Sequence, residues 1–164
     1  MAALAILALI GAAASGAGGA SALPPDYLAI ALKVAGQGLP GCRSYHPDGS
    51  EGPCLPRFAI KRSGGINGWS LDGTITFTRG ATERLTEDEF ALLAGHEIAH
   101  WYLGHRGSSV EAELAADRLG AELACAAGFD VARGAEVYRW LRADRAHSKG
   151  GIRLGVVLTV KCLG

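Results

Sequence analysis

Two consecutive stretches decide the reading of this chain: LTEDEFALLAGHEIAHWYLGH, residues 85–105, and EAELAADRLGAELACAAGFD, residues 111–130. Thr86 and Glu89 make a capping box, which predicts a helix from Glu87 to about Gly104. Ser108 and Glu111 make a second box, which predicts a helix lasting to Ala127 and ending at Gly128. Inside the first helix lies His96-Glu97-Ile98-Ala99-His100. Residues i and i+4 project from one helix face about 6 Å apart along the axis, so two imidazoles there can converge on one ion. Glu97 stands beside them, where a carboxylate can accept a proton from water held by that ion.

A zinc hydrolase site needs a third protein ligand and an open fourth position. The second helix offers Glu113-Leu114-Ala115-Ala116-Asp117. A turn at Arg106-Gly107-Ser108-Ser109 has its midpoint near position 106.5, so His100 and Glu113 each lie 6.5 residues from it, and His96 and Asp117 each 10.5. Equal offsets in an antiparallel hairpin mean equal heights along the axis. Helices packed roughly 8–10 Å apart let Glu113 close a site with His96 and His100. Asp117, level with His96, is placed to accept that ring's remaining N–H and orient it. An ordinary acidic helix face would leave these matched heights without a reason.

Working outward, Ile66–Gly80 reads INGWSLDGTITFTRG, in which Thr74–Thr78 is a predicted strand and Gly64–Gly68 is turn material. Phe58–Arg62 is another predicted strand, and Asp26–Val34 a short helix ended by Gly36 and Gly38. Residues 36–56, rich in Gly and Pro, read as a loop. Asp130 caps a third helix to about Ala143, and Ile152–Cys162 reads as a late strand. The fold class is therefore α+β, a short β-sheet followed by a histidine-bearing helix and a glutamate-bearing helix, with no internal repeat and no second domain.

These pieces together resemble the HtpX-like gluzincin zinc metallopeptidases, the group that includes CAAX prenyl proteases and periplasmic BepA-type enzymes. The resemblance spans about 65 to 95 residues around Ile66–Asp130. It implies a zincin-like domain with one zinc per chain held by His96, His100 and Glu113, and Glu97 as general base toward the zinc-bound water. It also implies an endopeptidase acting on peptide or protein substrates, with the strand Thr74–Thr78 offering its edge to an extended peptide. Two departures stand out. Only 12 residues separate His100 from Glu113, fewer than the family usually has. The family's later His-Pro segment and following Arg survive as His147 and Arg153 without the Pro. These two residues either stabilise an oxyanion or form a solvated basic tail, the second reading being preferred. His105 lies five residues after His100, off the spacing of a metzincin third ligand, and reads as a helix C-terminal residue favoured by the dipole. Trp101, Tyr102 and Leu103 read as packing residues, and His46 carries no argument. The rival from another class is a non-catalytic zinc-containing interaction domain of the cell envelope.

The ends and the composition set the setting. Residues 1–22 carry no charged side chain, and Ala20-Ser21-Ala22 closes an apolar run as a secretory cleavage pattern. The expectation is an exported chain, periplasmic or secreted, of residues 23–164, with an uncleaved membrane anchor as the disfavoured alternative and no stable membrane insertion after cleavage. The four cysteines suit an oxidising compartment, paired as Cys42–Cys54 and Cys125–Cys162. With 164 residues, 49% hydrophobic and 20% charged, the chain can bury a core and is not disordered. Sixteen basic and sixteen acidic side chains balance, which gives no electrostatic argument for nucleic acid.

Overall fold

The central helix, α3 (Glu87–Tyr102), is buried without interruption from Glu89 to Ala99. A helix clothed on all sides must be apolar or small all round, and Phe90-Ala91-Leu92-Leu93-Ala94-Gly95 meets that demand. Thr86 caps it: its hydroxyl accepts from the Glu89 N–H, and the Glu89 carboxylate accepts from the Thr86 N–H. The computed structural model describes residues 21–39, 44–45, 51–52, 54–107, 109–141 and 150–162. Around α3 it arranges the expected α+β architecture.

Helix α1 (Pro25–Ala35) packs Ile30, Ala31, Val34 and Ala35 inward. Pro25 at the first position costs no hydrogen bond there, since that N–H has no helical partner. Ser44–Tyr45 (β1) and Glu51–Gly52 (β2) form a small antiparallel ladder inside the stretch read as loop. The main sheet has the order β3-β5-β4, from Arg57–Lys61 (β3), Gly68–Leu71 (β4) and Thr74–Thr78 (β5). Strand β5 runs parallel to β3 and antiparallel to β4, and buries Ile75 through Thr78. Phe77 then meets Phe90 of α3 with ring centroids 4.8 Å apart, joining sheet to helix. On the outer side of β3, Ser21 exchanges both backbone hydrogen bonds with Ile60.

This order corrects one expectation. Thr74–Thr78 is the middle strand and offers no edge; the open edge belongs to β4. That strand was hidden in what read as turn material and its continuation. The connection Asp72-Gly73 has φ of 47° and 74° at its two residues, the two-residue turn whose twist suits a hairpin. The Asp-Gly pair was an available signal for β4.

Helix α2 (Arg79–Arg84) leads into α3, and α4 (Val110–Ala126) returns antiparallel to it. The cap of α4 is Ser109, whose hydroxyl accepts from the Ala112 N–H, one residue later than the Ser108 box placed it; Ser108 lies outside the described residues. Gly95 and Gly120 face each other where α3 and α4 cross. A Cβ on Gly120 would lie 2.5 Å from the His96 nitrogen and 2.6 Å from the Gly95 carbonyl carbon. Only two glycines permit that approach.

Helix α5 (Val131–Gly134), capped by Asp130, tightens into a 3-10 turn over Ala135–Arg139, shorter than the span to Ala143 that the pattern predicted. The last correction concerns Ile152–Cys162. Gly150–Val157 is a helix, α6, not a strand. Its Val-rich local preference gives way to packing: Arg153 and Val157 are the buried residues, four apart and therefore one turn apart on one helix face. Cys162, just beyond, is bonded to Cys125 of α4. Cys54 is disulfide-bonded as well; the expected partner Cys42 lies outside the described residues, as do His46 and His147.

Candidate metal centre

His96 and His100 stand one turn apart on α3 and turn their Nε2 atoms toward each other at 3.0 Å. Glu113 of α4 completes the cluster. Its Oε1 is 3.5 Å from His100 Nε2 and its Oε2 is 3.5 Å from His96 Nε2. The candidate ligand atoms of these three residues all lie within 4.8 Å of one another. Two imidazole nitrogens and a carboxylate are the donor set zinc favours. Tetrahedral zinc with bonds near 2.0–2.1 Å separates its ligands by about 3.3 Å, close to the spacing observed. The residues fit the ion.

A second layer holds the first. Asp117, fully buried, lies with Oδ1 2.9 Å from His96 Nδ1. The same carboxylate accepts from Tyr138 Oη at 2.7 Å and from Arg153 through Nε at 2.7 Å and Nη2 at 2.6 Å. Such a forked pair is stronger and more directional than a single bond. Arg153 is 3% exposed, so the reading of a solvated basic tail is overturned. Nothing in the local sequence announces this, because its partner lies 36 residues away. Its Nη2 also comes within 3.2 Å of His96 Nδ1 and 3.5 Å of Glu113 Oε2.

The charges follow from these contacts. Burial works against a charged His96, but hydrogen bonding to Asp117 and Glu113 outweighs it and lifts the ring to about 9. Burial and the neighbouring His96 push His100 down to about 4. Asp117 is also penalised by burial, yet Arg153 and His96 hold its carboxyl down to about 2. Burial and the Asp117 charge raise the Tyr138 hydroxyl, which therefore stays a donor. Between about pH 4 and 9 the histidine pair therefore carries its extra proton on His96.

Glu97 follows His96 on the helix and is 6% exposed. It points toward β4, since a Cβ on Gly68 would fall 3.0 Å from Glu97 Cγ and 3.3 Å from Oε1. A glycine at the start of the edge strand lets sheet and carboxylate approach this closely. Two cavities meet here and share Gly68, Trp69, His96 and Glu97. One, of about 610 Å³, continues past Trp140 and Arg153; the other, of about 730 Å³, past Trp101 and His105. The first reaches β4 only at Gly68 and Trp69, whereas the second runs along it from Gly68 to Leu71.

Of the other residues read from sequence, Trp101 and Tyr102 pack partly buried against the core, whereas Leu103 is 41% exposed and is not a packing residue. His105 sits just after α3 and contacts His100. The model of peptidase family M48 matches residues 55–135. No curated protein matches the chain.

Proposed function

Because the chain belongs to peptidase family M48 through residues 55–135, and is by that family a metallopeptidase, we propose that it is an exported zinc endopeptidase with the catalytic centre just described. His96, His100 and Glu113 hold one zinc, which when bound supplies a Lewis acid that polarises a peptide carbonyl and acidifies water. Glu97 takes the proton from the attacking water and returns it to the leaving amine. Asp117 accepts the Nδ1–H of His96 and so keeps the Nε2 lone pair directed inward. Arg153 balances the charge of Asp117 and holds it in place.

The substrate lies along β4. Strand addition to an open edge gives affinity through backbone hydrogen bonds, with side-chain preference set only by the flanking cavities. Broad specificity follows, limited to chains that can extend. Export is supported by the apolar residues 1–22 and by the Cys125–Cys162 disulfide, a bond that persists in oxidising compartments. Among the described residues, no helix is long and apolar enough to cross a membrane.

The observation that carries this reading is the convergence of three ligand atoms within 4.8 Å beside Glu97 and an open strand edge. A purely structural zinc site would have its fourth position closed by protein; here the cluster opens into two cavities. The test is elemental analysis of residues 23–164 beside hydrolysis of an unfolded protein substrate. We expect about one zinc per chain, lost in Glu113→Ala. Glu97→Gln should keep the zinc and lose roughly 10²–10⁴ in rate. A Glu97→Gln variant as active as wild type removes Glu97 as base, and a chain that takes up no metal removes the peptidase reading.

A further inference from the structure

Both imidazoles of the pair direct Nε2 toward the centre, which leaves each Nδ1 for another partner. That of His96 meets Asp117. That of His100 meets a residue with no role in the proposed site, His105: the two Nδ1 atoms are 2.9 Å apart, with ring centroids at 5.0 Å and planes at 71°. The backbone builds this contact. Leu103 closes α3, Gly104 takes a φ of 68° that suits glycine, and the His105 N–H donates to the His100 carbonyl at 3.1 Å. His105 is thus folded back over the residue whose ring it touches.

Two ring nitrogens at 2.9 Å need one proton between them. If His105 donated it, His100 would accept on Nδ1 and carry its own N–H on Nε2, aimed into the cluster of His96 and Glu113. If His100 donates it, the Nε2 lone pair is left for a metal. We propose that His105 is a positioning residue that accepts the Nδ1–H of His100, fixing that ring's tautomer and orientation for zinc. The inference rests on His100 being a zinc ligand. It assigns His105 to the side of His100 opposite the cluster, so His105 is not itself a ligand of the same ion. The two histidines are then supported unequally, His96 by a carboxylate tied to Arg153 and His100 by another imidazole.

The test compares full zinc-loaded protein with His105→Leu, His105→Asn and His105→Gln. Zinc affinity is read by competition with a chromophoric chelator at fixed pH, and the ligand set by the absorption of the cobalt-substituted protein. Removing a group that orients a metal ligand typically weakens binding 10–100-fold, and His105→Leu should show that loss. In Asn, Oδ1 stands close to where Nδ1 stood, so His105→Asn should recover to within a few-fold of wild type. His105→Gln carries its acceptor one bond further and should not recover. All four proteins should keep one cobalt with the same spectral type, and the metal-free melting temperature of His105→Leu should stay near wild type.

Wild-type affinity in His105→Leu overturns the proposal, as does an Asn variant no better than Leu. A cobalt spectrum showing one nitrogen ligand fewer in His105→Leu overturns it in favour of direct ligation. Wild type without zinc is a different result, which defeats the metal reading itself and this inference with it.

Discussion

Gly120→Ala tests whether the backbone contact between α3 and α4 sets the metal geometry. The added Cβ would stand 2.5 Å from the His96 nitrogen, 2.6 Å from the Gly95 carbonyl carbon and 2.8 Å from the His96 Cα. All three are backbone atoms of the facing helix, so no side chain can swing aside. Ordinary contact lies near 3.5 Å, and the helices must part by roughly 1 Å. Asp117 sits one turn before Gly120 on α4 and Glu113 two turns before it. A shift of that size stretches the 2.9 Å contact between Asp117 and His96 beyond hydrogen-bond range and pulls Glu113 from its histidines. Alanine gains about 1 kcal/mol in helix propensity, against an overpacking cost of about 1–3 kcal/mol plus the weakened Asp117 contact. The expected net is a loss of about 1–2 kcal/mol, a fall of roughly 3–8 °C in melting temperature, and at least a tenfold loss of zinc affinity. Gly155→Ala is the control. It lies in α6 with no atom within 4 Å of its virtual Cβ, and should leave zinc binding unchanged while gaining about 0.5–1 kcal/mol. Calorimetry of both variants with and without zinc reads the outcome. A Gly120→Ala protein with wild-type zinc affinity would refute the claim that this crossing spaces the ligands, even if it melted earlier.

The remaining predictions concern charge and covalent constraint. In metal-free protein, stability should rise with pH between about 4 and 6.5, where the unfolded chain binds the proton that folded His100 lacks, then fall from 6.5 to about 9, where folded His96 keeps a proton the unfolded chain has lost. Zinc needs deprotonated ligands, so loading should lift the alkaline side; melting temperatures from pH 5 to 9 check both, and a metal-free curve rising above pH 6.5 contradicts the assignment. Below that range, Asp117, held down to about 2 from 3.8, contributes about 2 kcal/mol that is present above pH 4 and lost as pH falls toward 2. Arg153→Met leaves a buried carboxylate without its cation and should cost about 3–5 kcal/mol in denaturant unfolding. Asp117→Leu with Arg153→Met should recover part of that stability while zinc affinity stays low, because His96 has lost its acceptor. Reducing the Cys125–Cys162 bond, which spans 37 residues, should cost about 4 kcal/mol by loop entropy, visible as a lower melting temperature in reductant.

What could be read in advance depended on how far a signal reaches along the chain. The capping box at Thr86, the i, i+4 histidines and the offsets of Glu113 and Asp117 all act within one hairpin, and the structure brings those side chains together at the heights the offsets give. The family match over residues 55–135 covers that same hairpin. Strand β4 escaped because it is only four residues long and begins with a glycine, which weakens a strand interior. Its local signs were the Trp69–Leu71 alternation and the Asp72-Gly73 turn that follows. Helix α6 escaped for the opposite reason: a strong local preference pointed to strand, and a buried ion pair across the fold decided against it.

The two misread parts share a place in the site. β4 and Arg153 each contribute what the hairpin cannot supply alone: an open edge beside Glu97 and a cation for the buried Asp117. The partner of the outer nitrogen of His100 is His105, within the hairpin itself. The hairpin sets the heights of the ligands, since those depend on residue counts about one turn. The groups beside the outer ring nitrogens, Asp117 and His105, lie in the hairpin too, and it is the charge balance of Asp117 that depends on the chain beyond it. Gly68 shows the same division from the sheet side. It bears no chemistry, yet any side chain there would meet Glu97 at about 3 Å, so its emptiness sets how near a strand edge comes to the carboxylate. The candidate ligands and the partners of their rings are therefore set within one hairpin, while the strand edge beside Glu97 and the charge partner of Asp117 come from contacts 29 to 57 residues apart, from Gly68–Glu97 to Arg153–His96.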